Sequence, residues 1–505
     1  MIYLISNQRS LFKTDLYEEL SFDKAKKYLE SLSIIEFDTE TSGLDPHTKE
    51  LLTYQLGNRE KQFVFDHSSY PIGLFKELFE SDRLFLIHNA KFDLKWLYKY
   101  DIWPKNIYDT MLAEQVIWLG WGDFRKGIES WEYEDNGYKW PYLVSISDKG
   151  NTIYKFSAAL QAVSKNRLNL ELDKSIRGQI TKVGLTPEVI QYAGTDVAHL
   201  EDIKESQKVD IVRENLQKAV QLENEFVKCL AYMEFCGVKL DENKWKAKMA
   251  KDSAKREEAI KELNDFVINY FNSHKGNIIS KTIEAENIID SQWIHDEEKI
   301  KKYGFNFGKI SKNQIKETNP KLKEKQYYTR DSGIKEVGLL YCERILTPFP
   351  WIQQDLQGDL WNGYNTEPYC TINWSSPKQV IPFLELIGFH LDSFDKKTKK
   401  RKKSTDAKTI KSQKSVCPEF AASYIKYKEA AKVCSAFGEN WLKAINSKTK
   451  RIHADYHQLG TDTARLSSGG GDSAVNCQQI PKDAETRACF VAEKGNCWIS
   501  EDYDS

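Results

Sequence analysis

Ile34-Ile35-Glu36-Phe37-Asp38-Thr39-Glu40-Thr41-Ser42-Gly43-Leu44-Asp45-Pro46 is the stretch whose reading decides the fold. An apolar run leads into two carboxylates two positions apart, and a Gly/Asp/Pro turn leaves them. Side chains alternate faces along a strand, so Asp38 and Glu40 would project side by side from the end of a buried strand. Adjacent carboxylates repel unless a cation lies between them, and oxygen ligands at such spacing suit Mg²⁺ or Mn²⁺. Taken alone, Asp38-Thr39-Glu40 reads more readily as a strand followed by a solvated acidic turn. The rest of the chain has to decide.

A chain of 505 residues has room for two to four domains, each with its own core. Hydrophobic residues make up 40% and aromatics 12%, which excludes wholesale disorder. The formal net charge of −1 gives no bulk argument for nucleic acid, so any basic surface must be local. Nine cysteines, an odd number without a C-x-x-C pair, argue against a disulfide framework and against zinc. Residues 1–7 form a short apolar run that reads as a strand, lacking the length and cleavage site of a signal peptide. No run of eighteen apolar residues occurs, and a cytoplasmic protein without a membrane partner is expected.

Up to about residue 206, short apolar runs alternate with helical stretches, as in an α/β domain. Strands are expected at 1–6, 33–38, 51–56, 62–65 and 83–88, and helices at 93–100 and 109–118. Residues 120–150, rich in Gly, Trp, Asp and Glu, read as an inserted excursion. From 209 to 251 the period is helical, with Leu216, Val220, Glu223, Val227 and Leu230 three or four apart. Gly237-Val238-Lys239-Leu240-Asp241 breaks it, and Asp241 is placed to cap a second helix. Residues 266–370 read as an insertion with its own small structure. Residues 396–403, basic at seven of eight positions, read either as a solvated loop or as a loop contacting phosphates. A further helix is expected at 418–442, and residues 451–505 read as strand, Gly-rich loop, strand, strand.

Two later segments supply what the opening stretch lacks. His88-Asn89-Ala90-Lys91-Phe92-Asp93 puts a carboxylate in the first turn of a helix, after a strand. Tyr192-Ala193-Gly194-Thr195-Asp196 puts a tyrosine and an aspartate at i and i+4, on one helix face. Two divalent ions about 3.5–4 Å apart need several carboxylates converging from different elements, and such a pair clamps both oxygens of an in-line phosphoryl displacement. Asp38, Glu40, Asp93 and Asp196 would be that set, with Tyr192 orienting the attacking water.

In this order, F-D-T-E-T, H-N-x-x-F-D and Y-x-x-x-D resemble the three exonuclease motifs of the DEDD family, tyrosine subclass. The resemblance covers residues 1–206 and implies an RNase H-like α/β fold that removes nucleotides from 3′ ends with two Mg²⁺ or Mn²⁺ ions. It implies ligand roles for Asp38, Glu40, Asp93 and Asp196 and a water-positioning role for Tyr192. Leu44 matches the leucine that wedges against the terminal base, and Asn89 an asparagine that contacts the strand. Asp109, in Tyr108-Asp109-Thr110, falls on a D-T aspartate of the family and receives no ligand role.

The segment His453 to Ser468 resembles the family A DNA polymerase pattern I-H-x-x-x-x-Q-x-x-T-x-T-G-R-L-S-S, with Ala464 in place of glycine. Asn476-Cys477-Gln478-Gln479-Ile480-Pro481 is similar to N-L-Q-N-I-P, and Ile499-Ser500-Glu501-Asp502-Tyr503 to the approach to palm motif A. Asn373-Trp374-Ser375-Ser376-Pro377-Lys378-Gln379 and Ser404-Thr405-Asp406 resemble two thumb motifs. Met233-Glu234 through Asp241 resembles the M-E-x-x-G-x-x-x-D that joins exonuclease to thumb. This second resemblance implies three parts: the exonuclease domain at 1–206; a mostly helical thumb at 207–450 with the insertion; and the first strands of a palm at 451–505. It further implies DNA contacts from Ser376, Lys378, Arg465, Asn476 and Gln478, and a metal-ligand role for Asp502.

Residue 505 falls inside motif A, and the fingers and the second palm carboxylate do not occur in the sequence. The expectation is therefore a phage-type proofreading polymerase, acting in the host cytoplasm if phage-encoded, that uses dNTPs only with a complement from a second polypeptide or a spliced continuation. Its palm strands would lack sheet partners. The alternatives are a free-standing 3′–5′ exonuclease and a non-catalytic DNA-binding or assembly subunit.

Overall fold

The alternating apolar runs of the first hundred residues form a mixed sheet. Its strands are β1 (Ile2–Ile5), β2 (Glu18–Glu19), β3 (Ile34–Thr41), β4 (Leu51–Gly57), β5 (Gln62–Asp66), β6 (Leu84–Ile87) and β7 (Asn106–Asp109), in the order β2-β1-β5-β4-β3-β6-β7. Strand β3 is central: antiparallel to β4 on one side, with Asp38 opposite Gln55, and parallel to β6 on the other. The register with β4 shifts between Glu40 and Thr41, an irregularity that marks the end of the strand where the turn begins. The sheet contains the five expected strands and two more. Strand β2 has only two residues, too few for periodicity to show, and β7 ends at Asp109, where a helix was expected to start.

The computed structural model describes residues 1–8, 14–119, 142–146, 152–172, 181, 184–290, 352–353, 369–395, 400–461, 463–469 and 475–499. By packing these divide into two compact units, Met1–Lys248 with Gly438–Ser505 and Met249–Phe437. This division differs from the one drawn along the sequence at 206 and 450. Among the described residues no helix is long and apolar enough to cross a membrane.

In the first unit both faces of the sheet are covered. Ile35 and Phe37 of β3, with Phe85 and Ile87 of β6, pack against α1 (Phe22–Glu30), α2 (Lys76–Phe79) and α3 (Ala90–Lys99). The alternate residues face the other way: Ile34 and Leu86 pack with Val163, Val197, Leu200 and Ile203. The helices named so far are followed by α4 (Thr110–Ile117), α5 (Leu160–Leu168), α6 (Pro187–Val197), α7 (Leu200–Arg213), α8 (Gln217–Cys236) and α9 (Glu242–Asp290). Helix α6 begins with Pro187 in its first turn, and the Thr186 hydroxyl accepts from the Val189 amide. Gly194 lets α6 approach β1 closely, since a Cβ there would lie 2.8 Å from Cγ2 of Ile2. That approach puts Tyr192 and Asp196 over the sheet.

Helix α8 ends where the sequence breaks. Gly237 has φ of +59°, and a Cβ on it would sit 2.6 Å from the Ile452 carbonyl oxygen. The next residues bridge to the end of the chain, Val238 to Ile452 and Leu240 to Phe490. Asp241 caps α9 as expected, its Oδ1 accepting from the Asn243 and Lys244 amides at 3.1 Å. The break between α8 and α9 is thus joined to the C-terminal segment by isolated bridges rather than by a sheet. The same segment contains a two-residue ladder, Tyr456–His457 against Ser467–Ser468, and short helical turns at Cys477–Gln479 and Ala484–Arg487. No third strand follows among its described residues.

Ala464, in the place of the family glycine, has φ of +59°. The left-handed region is unfavourable for a residue with a Cβ by roughly 1–2 kcal/mol. Ala464→Gly is therefore expected to raise stability by about 0.5–1 kcal/mol, read by thermal unfolding. A fall in stability would refute that account.

The second unit has its own core. Ala259, Leu263 and Val267 of α9 pack with Trp374, Phe383, Phe420 and Tyr424. Helix α9 thus runs on through the stretch read as the start of an insertion, where Phe266, Val267 and Tyr270 pack on the core. The phage-type reading drew on the inserted length, most of which, at 291–351 and 354–368, lies outside the described residues, as does most of the excursion at 120–150, of which 142–146 pairs with 152–156. Ser376 is the N-cap residue of the helix Pro377–Leu386, and the Asp406 side chain caps Ala407–Lys411 by accepting from the Thr409 amide. The basic run was expected to be a loop. Residues 396–399 are outside the described residues, but Lys400–Lys403 is a strand, paired antiparallel with Asp392–Asp395 so that Asp392 lies opposite Lys403 and Asp395 opposite Lys400. Opposite charges across a two-stranded ladder favour that pairing.

Candidate active site

Strand β3 delivers its carboxylates in pairs of faces. Asp38 and Glu40 share a face with Ile34 and Glu36, toward α6 and α7. On α6 the Tyr192 hydroxyl donates to the Asp196 carboxylate, one turn apart. The phenol is held well above its ordinary pKa, by burial first, then by the charges of Asp196, Glu40 and Asp38. Four of the five expected catalytic groups therefore come together on one side of the strand end.

Asp93 arrives from the other side. Its side chain is buried, at 1% exposure, and Oδ1 accepts from the Thr39 hydroxyl at 2.6 Å. Thr39 is on the α3 face of β3, opposite Asp38 and Glu40. Burial raises the Asp93 carboxyl to about 8, with the charges of Asp109 and Glu40 adding to the rise and Thr39 opposing it. Asp93 thus senses the same crowd of negative charge from beneath the strand end. Asp502, expected as a palm ligand, lies outside the described residues.

Helix α3 is fixed at its start by a residue that was assigned no ligand role. Asp109 closes β7 and is fully buried. Its carboxylate accepts from the amides of Asn89 (3.0 Å), Ala90 (2.8 Å), Met111 (2.8 Å) and Leu112 (3.3 Å). One side chain therefore caps α3 and α4 together, and burial still raises it to about 6 against those four bonds. Asn89, at the head of α3, has φ of +66°, a conformation asparagine tolerates better than most residues.

Glu36 was also passed over. It is fully buried, accepts from the Glu201 amide at 2.9 Å and from the Gln62 side chain, and is raised to about 7, chiefly by burial. Its carboxylate anchors the start of α7 beneath the Asp38/Glu40 pair. An acidic residue inside an apolar strand was the available signal.

Beyond the strand end, Leu44 is exposed at 64%, large for an apolar side chain beside polar groups. Leu44 and Asn89 line one groove of about 490 Å³ with Lys95, Glu234, Lys443 and His457. Of the other expected DNA contacts, Arg465 and Lys378 are exposed. The Asn476 side chain accepts from the Gln478 amide, and the Gln478 side chain donates to the Leu466 carbonyl at 3.1 Å, so Gln478 braces the loop that carries Arg465. Ser376 and Lys378 belong to the other unit.

The donors at the strand end are carboxylate oxygens, the chemistry that hard divalent cations take. Burial is the main cause of the raised Asp93, and the charges of Asp109 and Glu40 that add to it fit a cation. Among the described residues no three His, Cys, Asp or Glu side chains are gathered around one point. The fit is one of donor type and charge rather than of a closed cage.

Residues 16–206 match the family described as 3'-5' exonuclease, and residues 360–505 match DNA polymerase family A. The chain is thus similar to a 3'-5' exonuclease over its first part and to DNA polymerase family A over its last. DNA polymerase I of Aquifex aeolicus is 25% identical over 487 residues, 96% of this chain and 60% of that one. DNA polymerase I of Borreliella burgdorferi is 35% identical over 136 residues, 26% of this chain and 14% of that one. The chain thus spans 60% or less of the length of these two relatives. Among solved structures, the POL domain of Pol1 from M. smegmatis, in complex with DNA primer-template and dNTP, shares the fold. Its TM-score is 0.53 at 13% identity, covering 94% of this chain and 58% of that one.

Proposed function

We propose that the first unit removes nucleotides from the 3′ end of a DNA strand by hydrolysis, as a proofreading exonuclease of the DEDD tyrosine subclass, acting in the cytoplasm. Asp38, Glu40, Asp93 and Asp196 would hold two Mg²⁺ or Mn²⁺ ions. When bound, these would supply the positive charge that steadies the attacking and leaving oxygens.

What the chain's own residues do follows from their surroundings. Tyr192 keeps its proton throughout the physiological range, so it orients a water through its hydroxyl oxygen and does not act as a base. Its O–H is already committed to Asp196. Leu44 offers an apolar edge to the terminal base, and Asn89 a polar contact to the strand behind it. The observation that carries the reading is the Tyr192–Asp196 pair facing the charges of Asp38 and Glu40 at one strand end.

We also propose that Ser376, Lys378, Arg465, Asn476 and Gln478 hold primer–template during template-directed synthesis from dNTPs. Support comes from the match of residues 360–505 and from the likeness to a polymerase solved with both ligands.

The test of the exonuclease is direct. Incubated with Mg²⁺, the protein is expected to convert a 5′-labelled single-stranded oligonucleotide into a ladder shortened from the 3′ end. Excess chelator should stop the ladder, and added Mg²⁺ should restore it. Full-length oligonucleotide after prolonged incubation with Mg²⁺ and with Mn²⁺ would overturn the assignment.

A further inference from the structure

Glu234, in the last turn of α8, is only 3% exposed, the one acid among the buried side chains of that helix. Its Oε1 accepts from Nζ of Lys91 and from the Tyr456 amide, both at 2.7 Å. Its Oε2 accepts from Nζ of Lys95 at 2.8 Å. Lys91 also donates to Oδ1 of Asp455 at 2.7 Å and to the Tyr456 carbonyl. Two ammonium groups and two carboxylates therefore balance in a half-buried cluster that joins α3, α8 and residues 455–456.

The cluster acts on the exonuclease elements on two sides. Lys91 lies between Asn89 and Asp93 in sequence, and Lys95 follows one turn later on the same face of α3. The loop after Leu44 is tied to the same segment: Oδ2 of Asp45 accepts from Asn446 at 2.7 Å, and the His47 ring is stacked on Phe235 and 4.4 Å from that of His453. Nδ1 of His453 in turn bonds the Glu234 carbonyl oxygen at 2.8 Å.

We propose that Glu234 is a positioning residue for strand cleavage. Through Lys91 and Lys95 it sets α3, and with it Asn89 and Asp93, against residues 453–456, so that alignment of the exonuclease site depends on the polymerase-matching segment. The charge is needed, because a glutamine keeps the bond to the Tyr456 amide but leaves two lysines facing one aspartate. A buried ion pair that loses one partner leaves the other charge uncompensated. A misplacement of about 1 Å at a reacting group lowers rate by as much as 10²-fold.

This inference rests on the exonuclease reading, and its test separates the two. The full chain is compared with Glu234→Gln and with the charge-matched Glu234→Gln/Lys95→Gln. The readouts are kcat and KM on the labelled single strand with Mg²⁺, and amide hydrogen exchange along α3 and along β3 and β6. In Glu234→Gln, kcat is expected to fall about tenfold with KM within about twofold, while exchange rises in α3 and stays level in β3 and β6. The double variant should recover kcat to within about threefold of wild type. An equal rise of exchange in α3, β3 and β6 would reduce Glu234 to a general stabiliser and overturn the proposal. So would a single variant with unchanged kcat and unchanged α3 exchange. A wild-type chain that leaves DNA intact would sink the exonuclease reading, and the exchange data would still decide whether Glu234 fixes α3.

Discussion

Asp38→Ala is expected to lower the rate of 3′ nucleotide removal by about 10³-fold, with little change in KM and no loss of thermal stability. The rate follows from the role: a carboxylate that holds a catalytic cation supports several kcal/mol of transition-state stabilisation, and each 1.36 kcal/mol is a factor of ten. The stability result follows from the position of the side chain at the end of β3. The side chain is only half-buried, so alanine leaves no core cavity. Loss of activity with an unchanged or higher melting temperature would separate a functional carboxylate from a structural one. A residual rate within tenfold of wild type would remove Asp38 from the catalytic set.

Asp109→Ala should do the opposite, unfolding the site from below. Four backbone amides lose their acceptor at once, and each donor stranded in the interior costs about 1–3 kcal/mol, less what rearrangement and water recover. A total of about 3–5 kcal/mol is expected, read as a shift of the first unfolding transition to lower urea. Asp109→Asn retains Oδ1, which serves Asn89, Met111 and Leu112, and loses only the acceptor facing Ala90. It should therefore unfold between the wild type and Asp109→Ala. If Asp109→Ala unfolds at the wild-type urea concentration, the shared cap does not hold α3 and α4.

Local rules made much of this legible. The apolar runs at 34–37 and 84–87 report strands with two buried faces, and the Thr186–Pro187 and Asp241 caps can be read without tertiary information. Spacing alone put Asp38 beside Glu40 and Tyr192 beside Asp196. What spacing could not report is which face of the sheet a distant helix would take. Asp93 comes to the strand end through Thr39, on the face opposite Asp38, a relation set by where α3 packs. Asp109 and Glu36 escaped because their work is to accept backbone amides from elements far away in sequence. A fully buried acid inside an apolar strand was the one local sign of it. The bridges of Ile452 and Phe490 escaped for a related reason: their partners are Val238 and Leu240, more than two hundred residues earlier.

The first compact unit is interrupted in sequence, since residues 249–437 intervene between its two parts. On a ribosome, therefore, the sheet and α8 are complete well before Ile452, Tyr456 and Phe490 exist. At about 5–20 residues per second the 189 intervening residues take roughly 10–40 s to synthesise. Throughout that interval Glu234, Lys91 and Lys95 wait without Asp455 and the Tyr456 amide, and the edge at Val238–Leu240 waits without its bridges. With the positioning role proposed for Glu234, completion of the proposed nuclease site is a late event of synthesis, timed by a segment that folds on its own core in between.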